Sequence, residues 1–211
     1  MDFPSLKSLS VRYDSRDPVS RFPSHRMSLN NLETLGLHLQ LTPEAMTNCL
    51  LSVPNITSLY FVDTGNWDGP GEHSYMVSTT LQDTHLSRLG LPAGNPSSLC
   101  PRLRHVKMID YAPWSLNCEY WSGIALADFL EARVRSKALV SFDLYFHEPT
   151  RTSRSYLEAQ LGRFVQLKEL GLELHLHQSH VPSRSADDLP TAGLYPMRYF
   201  GDLSKDTDTI V

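Results

Sequence analysis

The chain has 211 residues, 41% of them apolar and 20% charged, which suits one good core or a short stacked array. A net charge of −4 and a pI near 6.1 leave no basic domain, which argues against nucleic acid as a partner. No window approaches the roughly 18 apolar residues that span a bilayer, so no membrane role is expected.

Neither a charged n-region nor an apolar h-region opens the chain, so no secretory signal is expected. The 3 cysteines, Cys49, Cys100 and Cys118, are sparse and not closely spaced, as in a reducing compartment. The expected location is intracellular, cytoplasmic or nuclear.

In chain order, seven stretches fit L-x-x-L-x-L with any apolar residue at L. They are Leu6–Val11, Leu32–Leu37, Ile56–Phe61, Leu86–Leu91, Leu103–Met108, Leu139–Leu144 and Leu167–Leu172. Apolar residues alternate within each, the period of a strand with one buried face. Phe3-Pro4, Val53-Pro54 and Cys100-Pro101 lie just upstream of three of them. First positions 6, 32, 56, 86, 103, 139 and 167 are separated by 26, 24, 30, 17, 36 and 28 residues. Leucine-rich repeats run at about 20–29 residues. The 17-residue step is too short for a full coil, which makes Leu86–Leu91 the weakest member. The 36-residue step needs an insertion.

Between these stretches the chain should return along the other side, partly as helices. Thr42 can cap a helix that has Pro43 and Glu44 in its first turn, with Met46, Cys49, Leu50 and Val53 at helical spacing. A second helix is predicted from about Ser122 to Val134, packing through Ile124, Leu126, Phe129, Leu130 and Val134. A third is predicted from about Ser155 to Phe164, with Tyr156, Leu157 and Leu161. Arg12 to Ser28 reads as an irregular return. Asp63 to Thr80, with Trp67 and Pro70-Gly71, reads as a loop.

The expected architecture is α/β: a leucine-rich-repeat solenoid of six to seven units over residues 1–179. Its curved parallel sheet would form the concave face, with helices and irregular segments on the convex face. Residues 180–211 would be a C-terminal cap, built on Leu194 to Phe200, or a partly disordered tail.

The run Leu99-Cys100-Pro101-Arg102-Leu103-Arg104-His105-Val106-Lys107-Met108 resembles the leucine-rich-repeat region of fungal F-box proteins. Ala127 to Arg133 followed by Leu139-Val140-Ser141-Phe142 is similar to a late repeat of basidiomycete members. The resemblance covers residues 3–176 and rests on degenerate motifs. It implies a non-enzymatic interaction module whose protein partner is a substrate for an SCF-type ubiquitin ligase. In that family an N-terminal F-box binds the Skp1 adaptor. This chain opens directly in a repeat, so contact with Skp1 is expected only if an F-box exists upstream. The alternatives are a truncated structural remnant without its own partner, or a metal-binding or hydrolytic protein. A truncated array would expose Leu6, Leu9 and Val11 and self-associate.

Residues between the apolar positions should face outward from the concave sheet. Those singled out for partner binding are Arg12, His38, Tyr60, Arg88, His105, Lys107, Asp143, Tyr145, Glu169 and Glu173. Arg12, Arg88 and Lys107 fall in the first five units, and Asp143, Glu169 and Glu173 in the last two. That pattern reads either as a polarised partner surface or as a solvated face whose charges fall so by chance. Tyr60 and Tyr145 are the anchor candidates, since aromatic residues dominate interface energetics.

His175 and His177 alternate on the last strand with His180 beyond, but matching ligands are lacking beyond Glu173. They read as exposed polar residues on the last strand's open face rather than as a metal site. Asp63, Asp68 and Glu72 do not match a calcium loop. No G-x-S-x-G, Walker, dinucleotide or H-E-x-x-H motif occurs. Cys100 lies five residues before His105, yet it should face the core as a small hydrophobe. Asn55-Ile56-Thr57 matches a glycosylation sequon, but Ile56 is a core position, so the match reads as chance. No catalytic residue, metal or cofactor is expected.

Overall fold

The computed structural model describes residues 6–12, 19–20, 29–39, 41–63, 81–110, 122–147, 159–179 and 207–209. Their fold is α/β. Strands β1 (Ser8–Arg12), β2 (Thr34–His38), β3 (Ser58–Asp63), β4 (His105–Asp110), β5 (Ser141–His147) and β6 (Glu173–Ser179) lie side by side in chain order, all parallel. A short β7 (Thr207–Thr209) adds antiparallel to β6. Helices α1 (Pro43–Leu51), α2 (Asp83–Leu89), α3 (Gly123–Arg135) and α4 (Leu161–Glu169) fall within the connections.

The alternation read from the sequence decides which face of the sheet is covered. Leu9, Leu35, Leu59, Val106, Phe142 and Leu174 are in register across six strands, and so are Val11, Leu37, Phe61, Met108, Leu144 and Leu176. These two apolar rows form the sheet side of the core, fully buried from β2 to β6 and half-buried on β1. Phe142 meets Phe129 of α3 edge to face, with ring centroids 6.4 Å apart.

Strands β2 to β5 are entered by the same bonding. The Lys7 carbonyl accepts from the backbone N–H groups of Glu33 and Thr34, and that of Glu33 from Thr57 and Ser58. The Thr57 carbonyl accepts from Arg104 and His105, and that of Arg104 from Val140 and Ser141. Ahead of three strands a tight turn closes from Leu32 N–H to the Leu29 carbonyl, Ile56 to Val53, and Leu103 to Cys100. Pro54 and Pro101 occupy the second position of two of these turns, where a φ preset near −65° fits. That is the physical reason for the prolines just upstream of these two stretches.

The first two predicted helices are present. The Thr42 hydroxyl accepts from Ala45 N–H at the start of α1, and Met46, Cys49, Leu50 and Val53 are buried. Ser122 caps α3 in the same way through Ala125 N–H, while its own hydroxyl donates to Asp83 at the start of α2. Leu126, Phe129 and Leu130 of α3 are buried as expected, and Val134 is half-buried. Ile124, assigned to the packing face, is 59% exposed instead, because it lies two residues before Leu126, off the buried stripe.

Gly90 lets α2 end hard against α3: a Cβ there would sit 3.5 Å from the Phe129 Cα and 3.3 Å from the Ser87 carbonyl. Across this junction Arg133 is fully buried. Its guanidinium donates to the carbonyls of Leu89, Leu99, Cys100 and Pro101 at 2.5–3.1 Å. One side chain thus ties the end of α2 to the turn that precedes β4.

Two of the seven stretches are not strands. Leu86–Leu91 is the last turn of α2 and its exit, with Gly90 N–H bonded to the Leu86 carbonyl. Leu167–Leu172 is the C-terminus of α4, Leu161–Glu169, which continues past the predicted end at Phe164; residues 155–158 of that prediction lie outside the described residues. There Leu172 N–H donates to the Leu167 carbonyl and Gly171 N–H to that of Lys168, with Gly171 at φ 97°. This is a Schellman end, closed by the buried pair Leu167 and Leu172. Leu170, read as a core position, is 67% exposed. The last parallel strand therefore starts at Glu173, and Leu174 and Leu176 are its buried residues.

Residues 13–18, 21–28, 64–80, 155–158 and 180–206 lie outside the described residues, as do Trp114 and Cys118. Most of the irregular return, the 63–80 loop beyond Asp63, Tyr156, Leu157, His180 and the cap at Leu194–Phe200 therefore fall there too, while Val19 of the return bridges Leu41 in parallel.

Candidate functional site

The face of the sheet opposite the core is the candidate site. Its residues form ordered rows because parallel register carries each position from strand to strand. One row is Ser8, Thr34, Ser58, His105, Ser141 and Glu173. The next is Ser10, Gly36, Tyr60, Lys107, Asp143 and His175. The third begins with Arg12 beside His38 and continues on the later strands as Val62, Ile109, Tyr145 and His177.

The structure brings together seven of the ten singled-out residues with their side chains: Arg12, His38, Tyr60, His105, Lys107, Asp143 and Glu173. Tyr145 joins them by backbone register, its side chain lying outside the described atoms. Arg88 does not belong. It sits on α2, and its Nε donates to the Ser97 carbonyl at 3.1 Å. Glu169 does not belong either, being the last residue of α4. Both were placed by mistaking a helix end for a strand. His175 and His177, read from the sequence as exposed polar residues of the last strand, stand on this face of β6, where Leu172-x-Leu174-x-Leu176 carries the alternation.

Polar contacts on the face concentrate over β4, β5 and β6. His175 Nδ1 lies 2.8 Å from Asp143 Oδ1, and the His175 and His177 rings are 5.9 Å apart. His105 Nδ1 lies 2.9 Å from the Ser141 hydroxyl. Burial holds the Lys107 ammonium below its ordinary value, and Asp143 opposes this. Burial likewise lowers the His177 pKa, with Asp143 pulling it back up and His175 and Lys107 adding to the depression. At the other end, His38 is lowered first by burial and then by Arg12. Its Nε2 is buried without a hydrogen-bond partner among the described residues.

The surviving charges keep the predicted order: Arg12 on β1 and Lys107 on β4, then Asp143 on β5 and Glu173 on β6. Gly36 keeps the second row narrow, since a Cβ there would press on the Ser10 hydroxyl at 3.2 Å.

Away from this face, Cys49 and Cys100 are buried free thiols. Burial pushes Cys100 up to about 12, and its sulfur lies 3.7 Å from the Leu50 carbonyl. His105 is bonded to Ser141 and is no partner to that thiol. Asn55 of the sequon donates to the Asn30 carbonyl at 2.7 Å, beside fully buried Ile56. Among the described residues no group of three or more His, Cys, Asp or Glu is placed to hold a metal ion. No helix among them is long and apolar enough to cross a membrane.

No family model, curated protein or solved structure matches this chain.

Proposed function

We propose that this chain is a non-enzymatic protein-interaction module. In this reading its sheet is a leucine-rich-repeat solenoid, similar to the substrate-recognition repeats of an F-box subunit of an SCF-type ubiquitin ligase. The observation that carries the reading is the open face: rows of polar and aromatic side chains in register over six parallel strands, opposite a continuous apolar core. The shared strand-entry bonding supports a repeat, since one carbonyl serves two successive N–H groups at four junctions in turn. Parallel strands joined in chain order expose such a face along their whole width, a surface suited to an extended partner.

The test is affinity capture from a fungal lysate with three baits: the wild type, a face variant (Tyr60→Ala with Lys107→Glu) and an outer-surface control (Arg135→Glu). The reading expects a protein captured by the wild type and the control and lost from the face variant. Equal capture by all three baits, or none, removes the interaction role. The ligase assignment requires in addition that a captured protein be ubiquitinated in a manner dependent on this chain.

A further inference from the structure

Among the described residues the histidines are not spread evenly. Of the five whose side chains are described, His85 is buried on α2, and the other four, His38, His105, His175 and His177, share the open face of the sheet. Three of these cluster over β4, β5 and β6. Their charged neighbours there are Lys107 on β4, Asp143 on β5 and Glu173 on β6 itself. On the far side of β6 only backbone is described, with Thr209 in register beside His177.

The cluster's charge depends on these imidazoles. With them neutral, among the described side chains one cation, Lys107, stands against two carboxylates, Asp143 and Glu173, and the patch is net negative. With His105, His175 and His177 protonated, the same patch becomes net positive. Imidazole changes charge between about pH 5 and 8, where the carboxylates of an acidic peptide stay ionised. Asp143 already bonds His175 at 2.8 Å, in the geometry that an incoming carboxylate would copy on the neighbouring rings.

From this juxtaposition we infer that the β4–β6 end of the open face docks an acidic protein segment, rich in Asp or Glu, and grips it more tightly as the histidines protonate. The inference rests on the open face being the docking surface proposed above and names the chemistry of its partner. Half-burial of His177 adds to the effect, because a carboxylate arriving there compensates a charge the site otherwise disfavours. Lys107 supplies a charge present at both ends of the pH range.

The test is fluorescence anisotropy with a fluorescein-labelled Glu-Ala-rich peptide and a Lys-Ala-rich counterpart, titrated with the full chain at about pH 7.5 and about pH 5.5. The acidic peptide should bind roughly tenfold tighter at the lower pH, the scale of a few exposed ion contacts. In the double variant His175→Gln, His177→Gln that gain should shrink to less than about threefold, with circular dichroism unchanged. Asp143→Asn, which removes the competing carboxylate, should tighten the acidic peptide at neutral pH.

Absence of acidic-peptide binding at either pH overturns the inference, and so does preference for the basic peptide. A pH gain retained in the double variant also overturns it, as does sedimentation showing a second copy of the chain on this face instead. Each of these leaves the interaction role standing if lysate capture still depends on Tyr60 and Lys107. Loss of that dependence, with the peptide behaving as expected, strikes the broader role alone.

Discussion

Arg133 shows how far a single residue could be read. It lies four residues after Phe129 and three after Leu130, so helical spacing places it on the buried stripe of α3. Its charge argues for solvent, and only the ring of four carbonyls explains its full burial. Arg133→Ala would strand those acceptors, and we expect a loss of about 3 kcal/mol in urea unfolding. Arg133→Lys should recover only part, because an ammonium cannot span the fan of acceptors that a guanidinium reaches.

His85 was equally hidden. Its Nδ1 accepts from Gln82 N–H at 3.1 Å, which leaves Nε2 to donate to the Pro43 carbonyl at 2.9 Å. Burial first, and Arg88 after the opposing Pro43 bond, hold its pKa below 6.5. The unfolded chain therefore takes up the proton first as pH falls. Stability from His85 is complete above about pH 6.5 and declines as pH drops towards the folded value, with His38 and His177 acting in the same direction. Thermal melts between about pH 7.5 and 5 should show that decline, and His85→Gln should flatten it.

Among elements, one six-letter pattern took two forms. Leu32-Glu33-Thr34-Leu35-Gly36-Leu37 enters a strand, whereas Leu86 to Leu91 and Leu167 to Leu172, with the same L-x-x-L-G-L letters, end helices. Glycine serves both outcomes, by fitting a narrow row at Gly36 and by adopting φ 97° at Gly171. The upstream residues separate them: a tight turn closes from Leu32 to Leu29 before β2, while helical turns precede Leu86 and Leu167.

Gly171→Ala should cost about 1 kcal/mol in chemical unfolding, since an L side chain is strained there. The end of α3 offers the converse. Lys137 stands at φ 54° in the same kind of helix exit, with Ala138 N–H on the Arg133 carbonyl and Lys137 N–H on that of Val134. Lys137→Gly relieves the strain without removing a buried side chain, so unfolding should show a gain of about 0.5–1 kcal/mol.

Across the whole molecule, burial rises from the first strand inward. Leu9 is half-buried, while Leu35, its partner in register on β2, is fully buried between neighbouring strands. Leu35→Ala should cost about 3 kcal/mol and Leu9→Ala about half of that, measured by urea unfolding of the two variants. Five of the six parallel strands, and the residues that face away from the core on them, were legible in the sequence. Alternation over a few residues is a local property, and it dictates which side chains share a face wherever a strand forms. The cap of α1 and most of the packing stripe of α3 were legible for the same reason. Tertiary structure alone decided that Arg133 replaces solvent with carbonyls, that His175 meets Asp143 at 2.8 Å, and that Ser122 reaches Asp83 at the start of α2. Those outcomes depend on partners 32 to 44 residues away, as in the bonds from Arg133 to Pro101 and Leu89. No local periodicity encodes such distances, because they are set by how the chain stacks.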